Sequence, residues 1–159
     1  MNFRIGFGYD VHRLSEGYVL TLGGIKIPHK KGSVGHSDAD VLIHVICDAL
    51  LGAANIRDIG YHFPDTDPQY RNIDSKRLLI EVVKLISDKG YFIGNIDSTV
   101  CLQTPKIKSY IPEMIECLCK TMKIVEDKIS IKATTTEKMG FTGREEGVEA
   151  YAIALIYKQ

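Results

Sequence analysis

At 159 residues the chain suits one domain, 1–159, with a core of its own. Hydrophobic residues make up 45% and charged residues 25%, and 20 basic side chains balance 20 acidic ones to a formal net charge of zero. That balance excludes a general attraction to nucleic acid or to an anionic membrane, so an anionic ligand must be met by local groups. The longest apolar run, near Ala150–Tyr157, is too short to span a bilayer.

Asn2 to Leu14 reads as a strand running into a loop. Met1–Ile5 lacks a signal-peptide apolar core, so a cytosolic protein is expected. Tyr18–Leu22 and Ile25–Pro28 flank Gly23-Gly24, a two-residue hairpin signal. His29 to Gly35 reads as a polar loop. Ser37 then caps a predicted helix that reaches Ala54, with Asp38 and Asp40 in its first turn, where carboxylates suit the helix dipole. Ile56 to Asn72 carries the punctuation of a long functional loop. A second helix is predicted over Ser75–Lys89, capped by Asp74 or Ser75 and stopped by Gly90.

Asn95–Gln103 reads as a strand, and Pro112 opens a third helix to Met122. Lys128–Thr136 is a β-branched strand, Glu137–Gly147 a Gly-containing loop, and Val148–Lys158 the last strand. Strands and helices mix without strict alternation, so the fold class is α+β, with helices layered on one face of a mixed sheet. Cys47, Cys101, Cys117 and Cys119 form no Cys-x-x-Cys pair and read as free thiols.

Asp10 and His12 lie two apart on a strand and so share a face, where they can chelate one ion or merely hydrogen-bond. Asp40, His44 and Asp48 recur every fourth residue on a predicted helix. Asp10, His12 and His44 together make a two-His, one-carboxylate set, which leaves a fourth tetrahedral position open as in catalytic zinc sites. Asp40 or Asp48 is expected to orient a ligand imidazole from behind. Thr134-Thr135-Thr136-Glu137 ends a strand, where hydroxyls can hold phosphate oxygens and Glu137 a hard divalent ion. Taken alone, the segment reads better as a β-propensity Thr run followed by an exposed ion pair.

In chain order the segments are Gly8-Tyr9-Asp10-Val11-His12, His36-Ser37-Asp38-Ala39-Asp40-Val41 with His44, and Asp48 to Ala54. They continue with Asp58-Ile59-Gly60, Phe63-Pro64-Asp65-Thr66-Asp67-Pro68, and Lys132 to Arg144. This ordered set resembles the cyclodiphosphate synthases of the non-mevalonate isoprenoid pathway. The resemblance implies conversion of 4-diphosphocytidyl-2-C-methyl-D-erythritol 2-phosphate to a 2,4-cyclodiphosphate with loss of CMP.

It further implies Zn²⁺ on Asp10, His12 and His44, and Mg²⁺ or Mn²⁺ on Glu137. His36 and Thr135 would stabilise the transition state, with Ser37 and Thr136 beside the phosphates. Asp58, Ile59 and Gly60, with Phe63, Pro64, Asp65, Thr66 and Asp67, would hold the methylerythritol. Leu102, Gln103, Thr104, Pro105, Lys106, Ile107 and Lys108, with Thr134, would hold the cytidine, and Phe141 and Arg144 would make further contacts. The implied assembly is a homotrimer, with sheets facing its axis and active sites between subunits. Three departures from the family pattern are Tyr9, where many members have Phe, Tyr151, where some have Glu (Glu149 lies two residues earlier), and Ile107-Lys108, where Met-Leu is commoner.

Overall fold

A computed structural model describes residues 2–158. The elements run β1 (Phe3–Glu16), β2 (Leu20–Leu22), β3 (Ile25–Ile27), β4 (Lys31–Val34), α1 (Val41–Ala53), a single turn α2 (Ile59–His62), α3 (Ser75–Asp88), β5 (Phe92–Cys101), α4 (Ile111–Met122), β6 (Ile129–Thr134), a second single turn α5 (Gly140–Gly143) and β7 (Gly147–Tyr157). One sheet has the order β4-β1-β7-β5-β6, and β2 pairs with β3 as a separate hairpin across Gly23-Gly24. β5 and β6 run parallel while the other pairs in the large sheet are antiparallel. The sheet is thus mixed, with the helices gathered on one face: an α+β fold, as expected.

The two faces of the sheet differ along β1. Gly6 and Gly8 are buried, whereas Phe3, Ile5, Phe7, Tyr9 and Val11 on the opposite face are all at least 41% exposed. β7 follows suit: Ala150, Ala152, Ala154 and Ile156 are buried, and Ile153 is half exposed on the other side. On that open face Glu149 accepts from the Tyr9 and Tyr151 hydroxyls at 3.3 and 3.2 Å. Burial and then the Glu149 carboxylate push the Tyr151 hydroxyl up to about 12.

α1 is apolar nearly all round because it lies at the centre, between the sheet and α3. α3 and α4 each show one apolar stripe, with Leu78, Leu79, Val82 and Ile86 buried on the first and Met114, Leu118 and Met122 on the second.

Three local expectations are corrected. α1 begins at Val41, and its cap is Asp40, which accepts from Ile43 N–H at 3.0 Å; Ser37 is not the cap. Ala39 takes φ +54° and Asp40 is extended, so the chain cannot be helical before Val41, and Asp38 and Asp40 precede the first turn. Asp40 also accepts from Gly23 and Gly24 N–H at 3.0 and 2.6 Å, tying the hairpin turn to the helix start. The His29–Gly35 stretch contains a strand, because β1 runs on to Glu16 and its extra length pairs with Lys31–Val34.

Candidate metal centre and active site

A Cβ on Gly6 would lie 1.9 Å from the Ala49 carbonyl oxygen, and one on Gly8 2.0 Å from that of Val45. The backbone of α1 therefore rests directly on β1. Two strand residues advance about 6.7 Å and four helix residues about 6 Å, so the point of contact retreats one helical turn for each inward-facing strand residue. The next inward residues, Asp10 and His12, thus come level with the start of α1, where His44 lies.

Three donor atoms meet there. Asp10 Oδ2 and His44 Nδ1 are 3.0 Å apart, His12 Nε2 and His44 Nδ1 3.0 Å, and Asp10 Oδ2 and His12 Nε2 3.1 Å. Ligands on a tetrahedral ion with bonds of about 2.0 Å would sit about 3.3 Å apart, close to this triangle. Behind it, His44 Nε2 lies 3.1 Å from Ser75 Oγ and 3.2 Å from Ser37 Oγ. With the Nε2 proton directed at those hydroxyls, Nδ1 presents a lone pair to the triangle. A carboxylate and a bare imidazole nitrogen at such range suit a divalent cation, and the residues fit one.

The electrostatics agree. Burial alone would raise Asp10, but hydrogen bonds and charge from His12 and His44 hold its carboxyl far below the usual range. For His44 burial works downward, and Asp10 outweighs it to raise the imidazole above its ordinary value. The pair is built to hold positive charge between its rings and carboxylate, whether as a proton or as an ion.

The triad lines a cavity of about 400 Å³ together with His36, Ser37, Ile59, Gly60, Phe63, Pro64 and Asp65. Of the other residues expected in that region, Asp58 caps α2 by accepting from Tyr61 N–H at 2.9 Å, and Asp67 accepts from Gln69 N–H at 3.0 Å. Thr66 lines a neighbouring cavity that shares His36. Neither Asp40 nor Asp48 orients an imidazole. Asp40 is taken up by the helix cap and the hairpin, and Asp48 accepts from Ile59 N–H at 2.8 Å. The residues behind His44 are Ser37 and Ser75. Tyr70, Ile73 and Leu78 also line the cavity and carry no sequence signal beyond being apolar or aromatic neighbours of a loop. Ser75 had a signal, but as a helix start only.

A second cavity, of about 210 Å³, is lined by Leu102, Gln103, Pro105, Lys106, Ile107 and Lys108 with Thr134 and Thr135. Thr104 precedes the cis peptide to Pro105 and does not line it. The register places Val11, Glu149, Cys101 and Thr134 in one row across the sheet. The two cavities therefore lie toward the same end of the sheet, with β1 and β6 three strand spacings, or about 14 Å, apart.

Beyond β6 the chain turns through two successive left-handed residues, Glu137 (φ +53°) and Lys138 (φ +64°). Such strained non-glycine positions gather at functional sites. Thr135 Oγ1 donates to Glu137 Oε1 at 3.2 Å, Thr136 Oγ1 donates to Met139 O at 2.7 Å, and Lys138 N–H reaches Gln103 Oε1 at 3.3 Å, linking this loop to the second cavity. Phe141 lines a third cavity that includes His12, and Arg144 pairs bidentately with Glu146 at 3.0 Å.

Residues 3–157 match the model of the YgbB family. A 2-C-methyl-D-erythritol 2,4-cyclodiphosphate synthase of Bacteroides thetaiotaomicron is 63% identical over 158 residues, which cover 99% of both chains. A solved 2C-methyl-D-erythritol-2,4-cyclodiphosphate synthase with CDP bound superposes with a TM-score of 0.89 at 35% identity, covering 96% of this chain and 99% of that one. The bifunctional IspDF of Campylobacter jejuni superposes with a TM-score of 0.95 at 39% identity over 99% of this chain, which spans only 42% of that larger protein.

Proposed function

The chain belongs to the YgbB family of 2-C-methyl-D-erythritol 2,4-cyclodiphosphate synthases, and from that premise we propose how its two cavities carry out the family's reaction. The reaction is that of a lyase in isoprenoid biosynthesis: 4-diphosphocytidyl-2-C-methyl-D-erythritol 2-phosphate gives the 2,4-cyclodiphosphate and CMP. An oxygen of the 2-phosphate bonds to the β-phosphorus, the bond from that phosphorus to the CMP oxygen breaks, and no water is consumed. Because nucleophile and electrophile belong to one molecule, the protein's task is to fold the substrate back on itself and neutralise its phosphates.

The observation that carries this reading is the Asp10, His12, His44 triangle at the wall of a cavity of about 400 Å³. These three residues hold a divalent ion, proposed as Zn²⁺, which when bound supplies a Lewis acid to the phosphate oxygens. His36 and Ser37, on the stretch between β4 and α1, face the same cavity and donate to the phosphates. Ile59, Gly60, Phe63, Pro64 and Asp65 enclose the methylerythritol, with Asp58 and Asp67 shaping the turns that carry them.

The Leu102–Lys108 segment and Thr134 hold the cytidine. Thr135 and Thr136 meet the phosphates there, and Glu137 takes a second ion, Mg²⁺ or Mn²⁺. Phe141 and Arg144 add contacts from the following loop.

The separation of the two cavities supports a homotrimer whose active sites join the metal corner of one subunit to the cytidine pocket of the next. The open sheet face supports it as well, since Ile5 and Phe7 are 62% and 61% exposed amid Phe3, Val11 and Ile153, a patch that calls for a partner. Four cysteines without a disulfide, three of them buried, support a cytoplasmic setting. Among the described residues no helix is long and apolar enough to cross a membrane.

The test is turnover of the cytidyl substrate with Zn²⁺ and Mg²⁺, followed by ³¹P NMR. A cyclic diphosphate with one CMP per turnover is expected. Release of inorganic phosphate would replace ring closure with hydrolysis, and CMP binding without turnover would leave a nucleotide-binding protein.

A further inference from the structure

The two hydroxyls behind His44 are almost equidistant from Nε2, at 3.1 Å for Ser75 and 3.2 Å for Ser37, yet their protons are committed differently. Ser75 Oγ makes a short hydrogen bond to Asp38 Oδ1, and Ser75 N–H donates to Asp38 Oδ2 at 3.1 Å. A carboxylate only accepts, so the Ser75 hydroxyl proton points at Asp38. Its remaining lone pairs can then do one thing toward His44, which is to accept the Nε2 proton. Ser37 Oγ accepts Ala39 N–H at 3.1 Å and lies 3.5 Å from Ser75 Oγ, and among the described residues no carboxylate claims its own proton.

We propose that Ser75 and Asp38 are positioning residues for the metal centre: the Asp38–Ser75–His44 chain fixes the His44 tautomer and ring plane so that Nδ1 faces Asp10 and His12, and leaves the Ser37 proton with no carboxylate partner, available to substrate. The inference rests on the metal reading of the triad given above. Three features make the chain suited to this work. Ser75 is fully buried, so no water competes for its hydroxyl. Its backbone is fixed at the first turn of α3, where Asp74 does the capping by accepting from Lys76 N–H at 2.9 Å. Asp38 is held on the segment before α1 by its bond from Asp40 N–H at 3.3 Å, so one carboxylate ties α3 to the stretch that carries His36 and Ser37. An imidazole whose far N–H is held this way is a better and better-aimed metal ligand.

The test is metal affinity of the purified full chain, read by Zn²⁺ competition with a chromophoric chelator. Ser75→Ala should weaken Zn²⁺ binding by about 10- to 100-fold, and Asp38→Asn by about 10-fold, the range for groups behind a metal ligand. Ser37→Ala should stay within about 3-fold, since its loss leaves the tautomer lock intact. Co²⁺ at saturation gives a readout that a packing defect elsewhere would not move: its visible d–d bands should shift in Ser75→Ala and match wild type in Ser37→Ala. Asp74 keeps its cap in the serine variant, and Asp38→Asn, which preserves shape, decides the matter should Ser75→Ala not fold. Wild-type binding with both Ser75→Ala and Asp38→Asn unchanged would overturn the relay alone, as would equal losses in Ser37→Ala and Ser75→Ala. A wild-type chain that binds no Zn²⁺ would overturn the metal reading and the relay with it.

Discussion

Asp10 and His12 on the covered face of the sheet meet His44 of α1, which rests on two glycines, and His44 is fixed between Asp10 and Ser75. Thr135 and Glu137 sit past the end of β6, where Glu137 is exposed, strained, and tied to the body of the protein by hydroxyl contacts and the Lys138–Gln103 bond. The first region is complete within one chain and preorganised by packing. The second is a surface loop, held by backbone conformation and those few contacts. On the proposed reading, in which the site is divided between subunits, turnover requires both halves while metal binding requires only the first.

Removing one ligand or one loop carboxylate should separate the halves. His44→Ala should abolish stoichiometric zinc by metal analysis and lower turnover on the order of 10³-fold, because the Lewis acid goes with the ligand. Secondary structure by circular dichroism should persist. Glu137→Gln should keep full zinc and lower turnover by ~10²-fold, with weaker dependence on added Mg²⁺. Loss of zinc in Glu137→Gln would mean that the two regions are one unit.

Packing gives a smaller and sharper contrast. Alanine at Gly8 puts a methyl 2.0 Å from the Val45 carbonyl oxygen, and alanine at Gly143 puts one 2.1 Å from the Lys138 carbonyl carbon. Both clashes are with backbone, so something must move. At Gly8 the thing that moves is the central helix, so Gly8→Ala should cost roughly 1–3 kcal/mol in denaturant unfolding and weaken zinc binding as well. At Gly143 it is the loop of Glu137 and Lys138. Gly143→Ala should therefore change stability by under ~1 kcal/mol while lowering turnover at unchanged zinc content. Equal destabilisation in the two variants would erase the distinction between a packed site and a surface one.

The same contrast governs what the sequence discloses. Helices with clear apolar stripes, the Gly-Gly hairpin and the final strand are local matters of period and turn chemistry, and they stand within a few residues of where the sequence puts them. The metal triad is legible because Asp10 and His12 share a strand face and His44 interrupts an apolar helix. Its supporting shell is not. Asp38 and Ser75 are 37 residues apart, and nothing in either segment announces that α3 starts beside the stretch before α1. The left-handed turn at Ala39 is equally hidden, since alanine gives no warning of positive φ, and it is this turn that moves the helix cap from Ser37 to Asp40. Gly6 and Gly8 were a readable cue: two inward glycines before Asp10 signal close approach of another backbone. That the Leu102–Lys108 segment lies on a different wall from Asp10, His12 and His44 depends on strand order, which is set by the whole sheet.

The finest effect is in pH, and it has opposite signs with and without metal. Burial works to lower His44, but Asp10 outweighs it and raises the imidazole above its ordinary value, while His12 and His44 depress Asp10 against the effect of burial. In the metal-free chain the Asp10–His44 pair stabilises the fold when Asp10 is ionised and His44 protonated. The His44 contribution is fully present below its unfolded value of about 6.5 and is lost as pH rises through the raised folded value. The Asp10 contribution is present above about 3.9 and is lost only as pH falls through its depressed folded value. On the proposed reading a metal ion held by Asp10 and His44 would take the place of that His44 proton, so its stabilisation should grow with pH across the same window, by at most about 1.4 kcal/mol per pH unit for each proton displaced. Melting curves from pH 5.5 to 8 with and without saturating Zn²⁺ should therefore diverge as pH rises, then run parallel once the His44 of the metal-free protein is neutral. In His44→Ala this divergence should vanish. A gap that stays constant with pH in the wild-type chain would mean that the ion and the proton do not share the Asp10–His44 position.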